Sequence, residues 1–192
     1  MRSKHALSKE SYTRRRRCGG FTLAELLVVT TLIALMAVAA SPSFLAWQTR
    51  DRVDASARAL VASLAYAKSE AMRRGTRVVV CRLDAAERCA ARAARDRGGV
   101  EWTAGWAVVA DVGGLATILR RYLPEGPVLV KSSAAEVGFT PPVGQVIGGF
   151  RRFEISSRSA SMQGRRPDSS RCVYIAAGGR ARFVDGSCGS DA

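Results

Sequence analysis

Glu25 is the residue of this chain with the least ordinary setting. Residues 26–49 hold no charged side chain, and residues 21–24 ahead of it are uncharged too. A charged group in a membrane-spanning helix costs roughly 2.5–3.5 kcal/mol at the helix centre and less near an end. Such a group is retained for function, with an opposite charge close by. A second chemical set is the five cysteines, Cys18, Cys81, Cys89, Cys172 and Cys188. Their spacing lacks the short C-x₂₋₄-C step of a zinc site, so no metal centre is expected. A third is a run of eight arginines, from Arg151 and Arg152 through Arg171 to Arg180 and Arg182, against only Glu154 and Asp168. Guanidinium forks suit bidentate contacts to phosphate or carboxylate, although a run of like charge is equally at home on a solvated face. The one histidine is His5. A Ser-His-Asp triad or a His-ligated metal would depend on it. There is no recognisable nucleophile motif and no phosphate-cradling glycine loop, so no catalytic residue, no cofactor and no enzymatic activity is expected.

These groups need elements to position them. The chain has 192 residues, enough for one ordinary domain and a long helix. It carries 30 Lys and Arg against 16 Asp and Glu, a formal net charge of +14. Seven of the basic side chains and one acid, Glu10, lie in residues 1–20, leaving +8 on the rest. A basic surface favours an anionic partner without choosing among nucleic acid, lipid and acidic protein. The apolar run of residues 21–47 exceeds the ~20 residues that a spanning helix needs. Arg14, Arg15, Arg16 and Arg17 ahead of it predict a cytoplasmic N-terminus, and Trp47 is an interfacial anchor at the far end. Pro42 removes a helix hydrogen bond and predicts a kink. An ordinary secretory signal cut near Ala37-Val38-Ala39 would have no need of Glu25.

Beyond Trp47 the helical pattern continues. Val53, Ala57, Leu60, Leu64, Ala67 and Ala71 recur at steps of four and three, an apolar seam along one face. Arg73 and Arg74 suit the negative end of the helix dipole, and Gly75 is a stop. At ~1.5 Å per residue, a helix over residues 21–74 is roughly 80 Å long. Strands are predicted at residues 77–81, 106–110, 118–122, 128–130, 150–155, 171–176 and 180–184, with a loop over 156–170. Gly178-Gly179 reads as a two-residue hairpin turn. That turn would set Ala177 opposite Arg180 and Ile175 opposite Arg182, so that Arg171, Arg180 and Arg182 line one face.

Gly20-Phe21-Thr22-Leu23-Ala24-Glu25, after a basic leader and before an apolar run containing Pro42, resembles the prepilin N-terminus of type IV pilins and type II secretion pseudopilins. Further along, Ala67-Lys68-Ser69-Glu70-Ala71, Arg74-Gly75, Cys81, Trp102, Gly105-Trp106, Asp111, Ile118-Leu119-Arg120, Gly138-Phe139, Gly144 and Gly179-Arg180-Ala181-Arg182 resemble the GspH/FimT branch. The resemblance implies an α+β, type IV pilin-like fold, a long N-terminal helix packed on an antiparallel β-sheet head. It divides the chain into a leader (1–20), a transmembrane half-helix (21–47), an amphipathic half-helix (48–75) and a periplasmic head (76–192). It implies cleavage between Gly20 and Phe21 by a prepilin peptidase, N-methylation of Phe21, and pairing of Glu25 with the Phe21 amine of a neighbouring subunit. The implied setting is the bacterial inner membrane, crossed once. The implied partners are an assembly platform there and other pilins or pseudopilins in a filament. The expected role is a GspH-like minor pseudopilin at or near the tip of a type II secretion pseudopilus. The alternative is a FimT-like minor pilin, in which the Gly-Arg-x-Arg motif and Arg171 would bind DNA for natural transformation. Cleavage would remove His5 and Cys18. Four cysteines would remain in an oxidising compartment, which reads as disulfides. Of three connectivities, Cys81–Cys89 and Cys172–Cys188 close the shortest loops and are the expectation.

Overall fold

A computed structural model describes residues 20–90, 99–158 and 170–189. Residues 91–98 of the Ala/Arg-rich stretch and most of the expected 156–170 loop lie outside the described residues, as do the leader residues His5 and Cys18. The chain divides into two compact units, residues 1–42 and 43–192. One α-helix, α1 (Leu23–Arg74), contributes to both and is not interrupted at Pro42.

In the first unit Thr22 caps α1. Its hydroxyl oxygen accepts the Glu25 amide at 3.2 Å and its carbonyl accepts the Leu26 amide at 3.1 Å. Residues Leu23–Ser41 are long and apolar enough to cross a membrane, and none of their surface is buried within the unit. The hydroxyls of Thr30, Thr31 and Ser41 donate to the carbonyls of Leu27, Val28 and Ala37. Each is thereby satisfied inside the helix, as hydrocarbon requires of a polar group.

The second unit is built from two antiparallel sheets. The strands are β1 (Val78–Arg82), β2 (Val100–Glu101), β3 (Trp106–Val112), β4 (Leu115–Tyr122), β5 (Val128–Ser132), β6 (Glu136–Thr140), β7 (Gln145–Val146), β8 (Arg151–Ser157), β9 (Arg171–Ile175) and β10 (Ala181–Asp185). The first sheet runs β4-β3-β1-β6-β7 and the second β10-β9-β8-β5-β2. The apolar seam of α1, from Val53 to Ala71, is buried in one core with inward residues of both sheets, among them Val78, Val80, Val108, Phe139, Phe153, Val173 and Ile175. Two indoles anchor that core. Trp106 donates to the Ser63 hydroxyl of α1 at 3.0 Å and stacks on Tyr122 at 4.4 Å. Trp102 meets Phe153 edge-on at 4.9 Å and donates to the Ala134 carbonyl at 2.8 Å. Both rings are large apolar surfaces whose single donor has a partner, as burial demands.

Three strands, β2, β6 and β7, were not expected from the sequence. Two of them are only two residues long, and β6 has Gly138 at its centre. The expected loop beginning at Ser156 is also corrected. Strand β8 continues through Ser156 and Ser157, which pair with Leu129 and Val128 of β5 and are buried. Small hydroxylated residues can occupy a central ladder even though their propensity points to loops, because burial and pairing decide strand formation.

Near the end of α1, Glu70 is 7 % exposed and held by two arginines. Arg73 donates to both carboxylate oxygens, at 3.1 and 2.7 Å, and Arg74 donates at 2.6 Å. These bonds hold the Glu70 carboxyl at about 2, below its ordinary 4.5. A depressed acid contributes stability above its unfolded value and loses it as pH falls through the folded one. The unfolding temperature should therefore be insensitive to Glu70 above pH 5 and should fall from pH 4.5 towards 2. Glu70→Gln should flatten that acid limb in a thermal-melt series, and an unchanged slope would refute the assignment.

Candidate functional sites: the helix start and the basic hairpin

At the start of α1, Gly20 and Phe21 are exposed, Phe21 by 84 %, and no neighbouring atom lies within 4 Å of a Cβ built at Gly20. The peptide bond between them is thus uncovered by the described residues. Glu25 is the acidic residue of the first helical turn. Thr22-x-x-Glu25 has the spacing of a capping box, and a carboxylate at this end complements the positive pole of the helix dipole. That local role was missed in the sequence reading, although the spacing was visible.

The basic hairpin differs from its expected geometry. Gly179 has φ +74, and its amide donates to the Ala176 carbonyl at 2.8 Å. The ladder then sets Ile175 opposite Ala181, Tyr174 opposite Arg182 and Arg171 opposite Asp185. This is one residue away from the two-residue turn expected at Gly178-Gly179, and a one-residue shift exchanges the two faces of a strand. Arg171 and Arg182 therefore lie on opposite faces. Arg171 packs against α1, with Nε at 2.6 Å from Asp54 and 3.1 Å from Asp185. Its Nη1 donates to its neighbour's carbonyl, Ser170 O, at 2.9 Å. Arg180 and Arg182 are exposed and form no ion pair among the described residues. The row that crosses the outer face at Arg182 runs through Tyr174 to Arg152. Phe150 stacks on Tyr174 at 6.0 Å between ring centres. Arg152 donates to the Gly189 carbonyl at 2.6 Å. Tyr174 and Arg152 as neighbours of Arg182 could be found only once the register was known.

The hairpin turn is held from below. Lys68 of α1 donates to the Gly178 carbonyl at 2.7 Å, and the Val146 amide donates to the Ala177 carbonyl at 2.8 Å. Gly179 is buried; a Cβ there would overlap the Gly144 carbonyl oxygen and lie 3.2 Å from Lys68 Cδ. Cys172 is bonded to Cys188, which ties the tail to β9, and Cys81 is bonded to Cys89. Among the described residues no group of three or more His, Cys, Asp or Glu side chains could hold a metal ion.

Three comparisons bear on this architecture. The family model described as type II transport protein GspH matches residues 56–179, and that of the prokaryotic N-terminal methylation motif matches residues 15–41. Two crystal forms of the type IV minor pilin FimU of Pseudomonas aeruginosa share the fold. One is 21 % identical, covering 68 % of this chain and 91 % of that one, with a TM-score of 0.50. The other is 19 % identical, covering 72 % and 92 %, with a TM-score of 0.53. No curated protein matches the sequence.

Proposed function

Because the chain belongs to the GspH family of type II transport proteins and carries the N-terminal methylation motif, we propose that it is a minor pseudopilin at or near the tip of a type II secretion pseudopilus. The observation that carries this reading is the pairing, on one chain, of that motif and an exposed apolar half-helix with a head matched by the family model. In this reading a prepilin peptidase cuts between Gly20 and Phe21 and methylates the Phe21 amine. Residues 21–47 hold the subunit in the inner membrane with its N-terminus cytoplasmic and the head, residues 76–192, periplasmic. Residues 48–75 join the two, and Pro42 kinks the helix. Glu25 pairs with the Phe21 amine of an adjoining subunit, since a carboxylate in hydrocarbon is stabilised by a protein-borne cation. Deleting the gene should leave type II cargo in the periplasm, and a plasmid copy should restore its export. Unchanged export would sink the secretion reading.

One observation favours a second reading, a DNA-binding minor pilin. Gly179-Arg180-Ala181-Arg182 presents two exposed guanidiniums free of ion pairs among the described residues. Arg171 is a poor member of that site, because Asp54 and Asp185 already neutralise it. Phosphate contacts of this kind are salt-sensitive. A gel shift that weakens with salt and disappears in Arg180→Ala plus Arg182→Ala would support this reading, and no shift at low salt would remove it.

A further inference from the structure

A cleft of about 710 Å³ lies in the head, with walls from both sheets. Two arginines face it, and each lies over a glycine. A Cβ at Gly138 of β6 would come within 3.1 Å of both Nε and Nη2 of Arg77. A Cβ at Gly148 would overlap Nη2 of Arg151. Arg151 folds back on its own turn, where Nη1 donates to the Gly148 and Phe150 carbonyls. Its Nε is buried and has no partner among the described residues. Arg77 donates to Glu136 at 3.1 Å, and both side chains remain about half exposed. Two cations and one carboxylate leave the cleft with a single positive charge, which suits one monoanion.

The rest of the lining narrows the ligand. Val100 and Ile147 give the cleft an apolar wall. Val100 belongs to β2, the terminal strand of its sheet, which is paired on one side only among the described residues. Such an edge offers backbone groups to an extended chain. The volume holds several residues rather than an isolated ion. A phosphodiester backbone would bring repeated negative charge against Glu136, whereas a peptide amide could donate to it. We propose that this cleft receives the carboxylate of an extended peptide segment from another protein, held by Arg77 and Arg151. The carboxylate is a chain terminus or an acidic side chain, and the inference is independent of which filament the subunit joins.

The full chain in detergent micelles, followed by nitrogen-15 NMR of its arginine Nε–H groups, provides the test. The probes are acetyl-Ala-Ala-Leu as the free acid, the same peptide as its carboxamide, and acetyl-Ala-Asp-Leu carboxamide. Saturable shifts of the Arg77 and Arg151 signals are expected with at least one carboxylate peptide and not with the uncharged carboxamide. The peptide that binds distinguishes terminal from side-chain carboxylate. Arg151→Gln should weaken binding about tenfold. Gly138→Ala keeps both guanidiniums but displaces Arg77, and it should also weaken binding, so the test survives if Arg151→Gln fails to fold. No saturable shift, equal binding of the uncharged carboxamide, undiminished binding by both variants, or displacement by a duplex oligonucleotide would overturn the proposal.

Discussion

Glu25→Gln should lower recovery of the subunit in sheared filaments by more than tenfold while cleavage after Gly20 proceeds. The side chain has two separable roles. One is local: Glu25 lies in the first turn of α1, where the Thr22 hydroxyl accepts its amide. Gln suits the same capping-box position, so the helix start is retained. The other role is charge. In lipid the carboxylate costs roughly 2.5–3.5 kcal/mol at mid-membrane depth and less near the boundary, so the neutral variant should insert at least as well as the parent. If it inserts and is processed yet fails to assemble, the lost interaction is the ion pair proposed with a neighbouring Phe21 amine. Incorporation equal to the parent, measured by immunoblot against the major subunit, would eliminate that pairing.

Gly179→Ala should destabilise the head by about 3 kcal/mol, whereas Arg180→Ala plus Arg182→Ala should change its stability by no more than about 0.5 kcal/mol. Gly179 has φ +74, a left-handed conformation costing a non-glycine residue roughly 1–2 kcal/mol. The added Cβ would also overlap the backbone oxygen of Gly144, which cannot swing aside as a side-chain end can. Arg180 and Arg182 instead project from the surface without ion pairs among the described residues. Chemical denaturation of both variants reads the difference directly. The result would divide Gly179-Arg180-Ala181-Arg182 into a glycine selected by the fold and two arginines available to a partner. A freely tolerated Gly179→Ala would show that the turn is not clamped between Gly144 and Lys68.

The differences between sequence and structure have local causes. The seam of Val53, Ala57, Leu60, Leu64, Ala67 and Ala71 was legible because helix periodicity survives any choice of partner. The neighbouring cysteines were legible as pairs because short loops close readily, and the structure holds Cys81 with Cys89 and Cys172 with Cys188. The carboxyl-bearing prepilin motif was also legible, since its signal is a fixed spacing beside a long apolar run. By contrast, β2 and β7 are too short to show alternation, and Gly138 interrupts β6. The order β4-β3-β1-β6-β7 inserts β1 between strands far from it in the chain, an arrangement no local window contains.

The sequence by itself determined the apolar half-helix, its amphipathic continuation, the processing motif and the abundance of strands after Gly75. Hydropathy and spacing are properties of contiguous residues, and they need no knowledge of what packs where. Tertiary structure alone decided which arginines share a face and which are neutralised. Arg182 faces away from Arg171 because the hairpin register at the left-handed Gly179, seated between Lys68 and Gly144, is moved by one residue, while Arg171, on the core-side face of β9 with Ile175, meets Asp54. The same long-range packing set Arg77 over Gly138 and Arg151 over Gly148 around one cleft. Side-chain direction in a sheet reverses with every residue, so its outcome depends on contacts between segments distant in the chain.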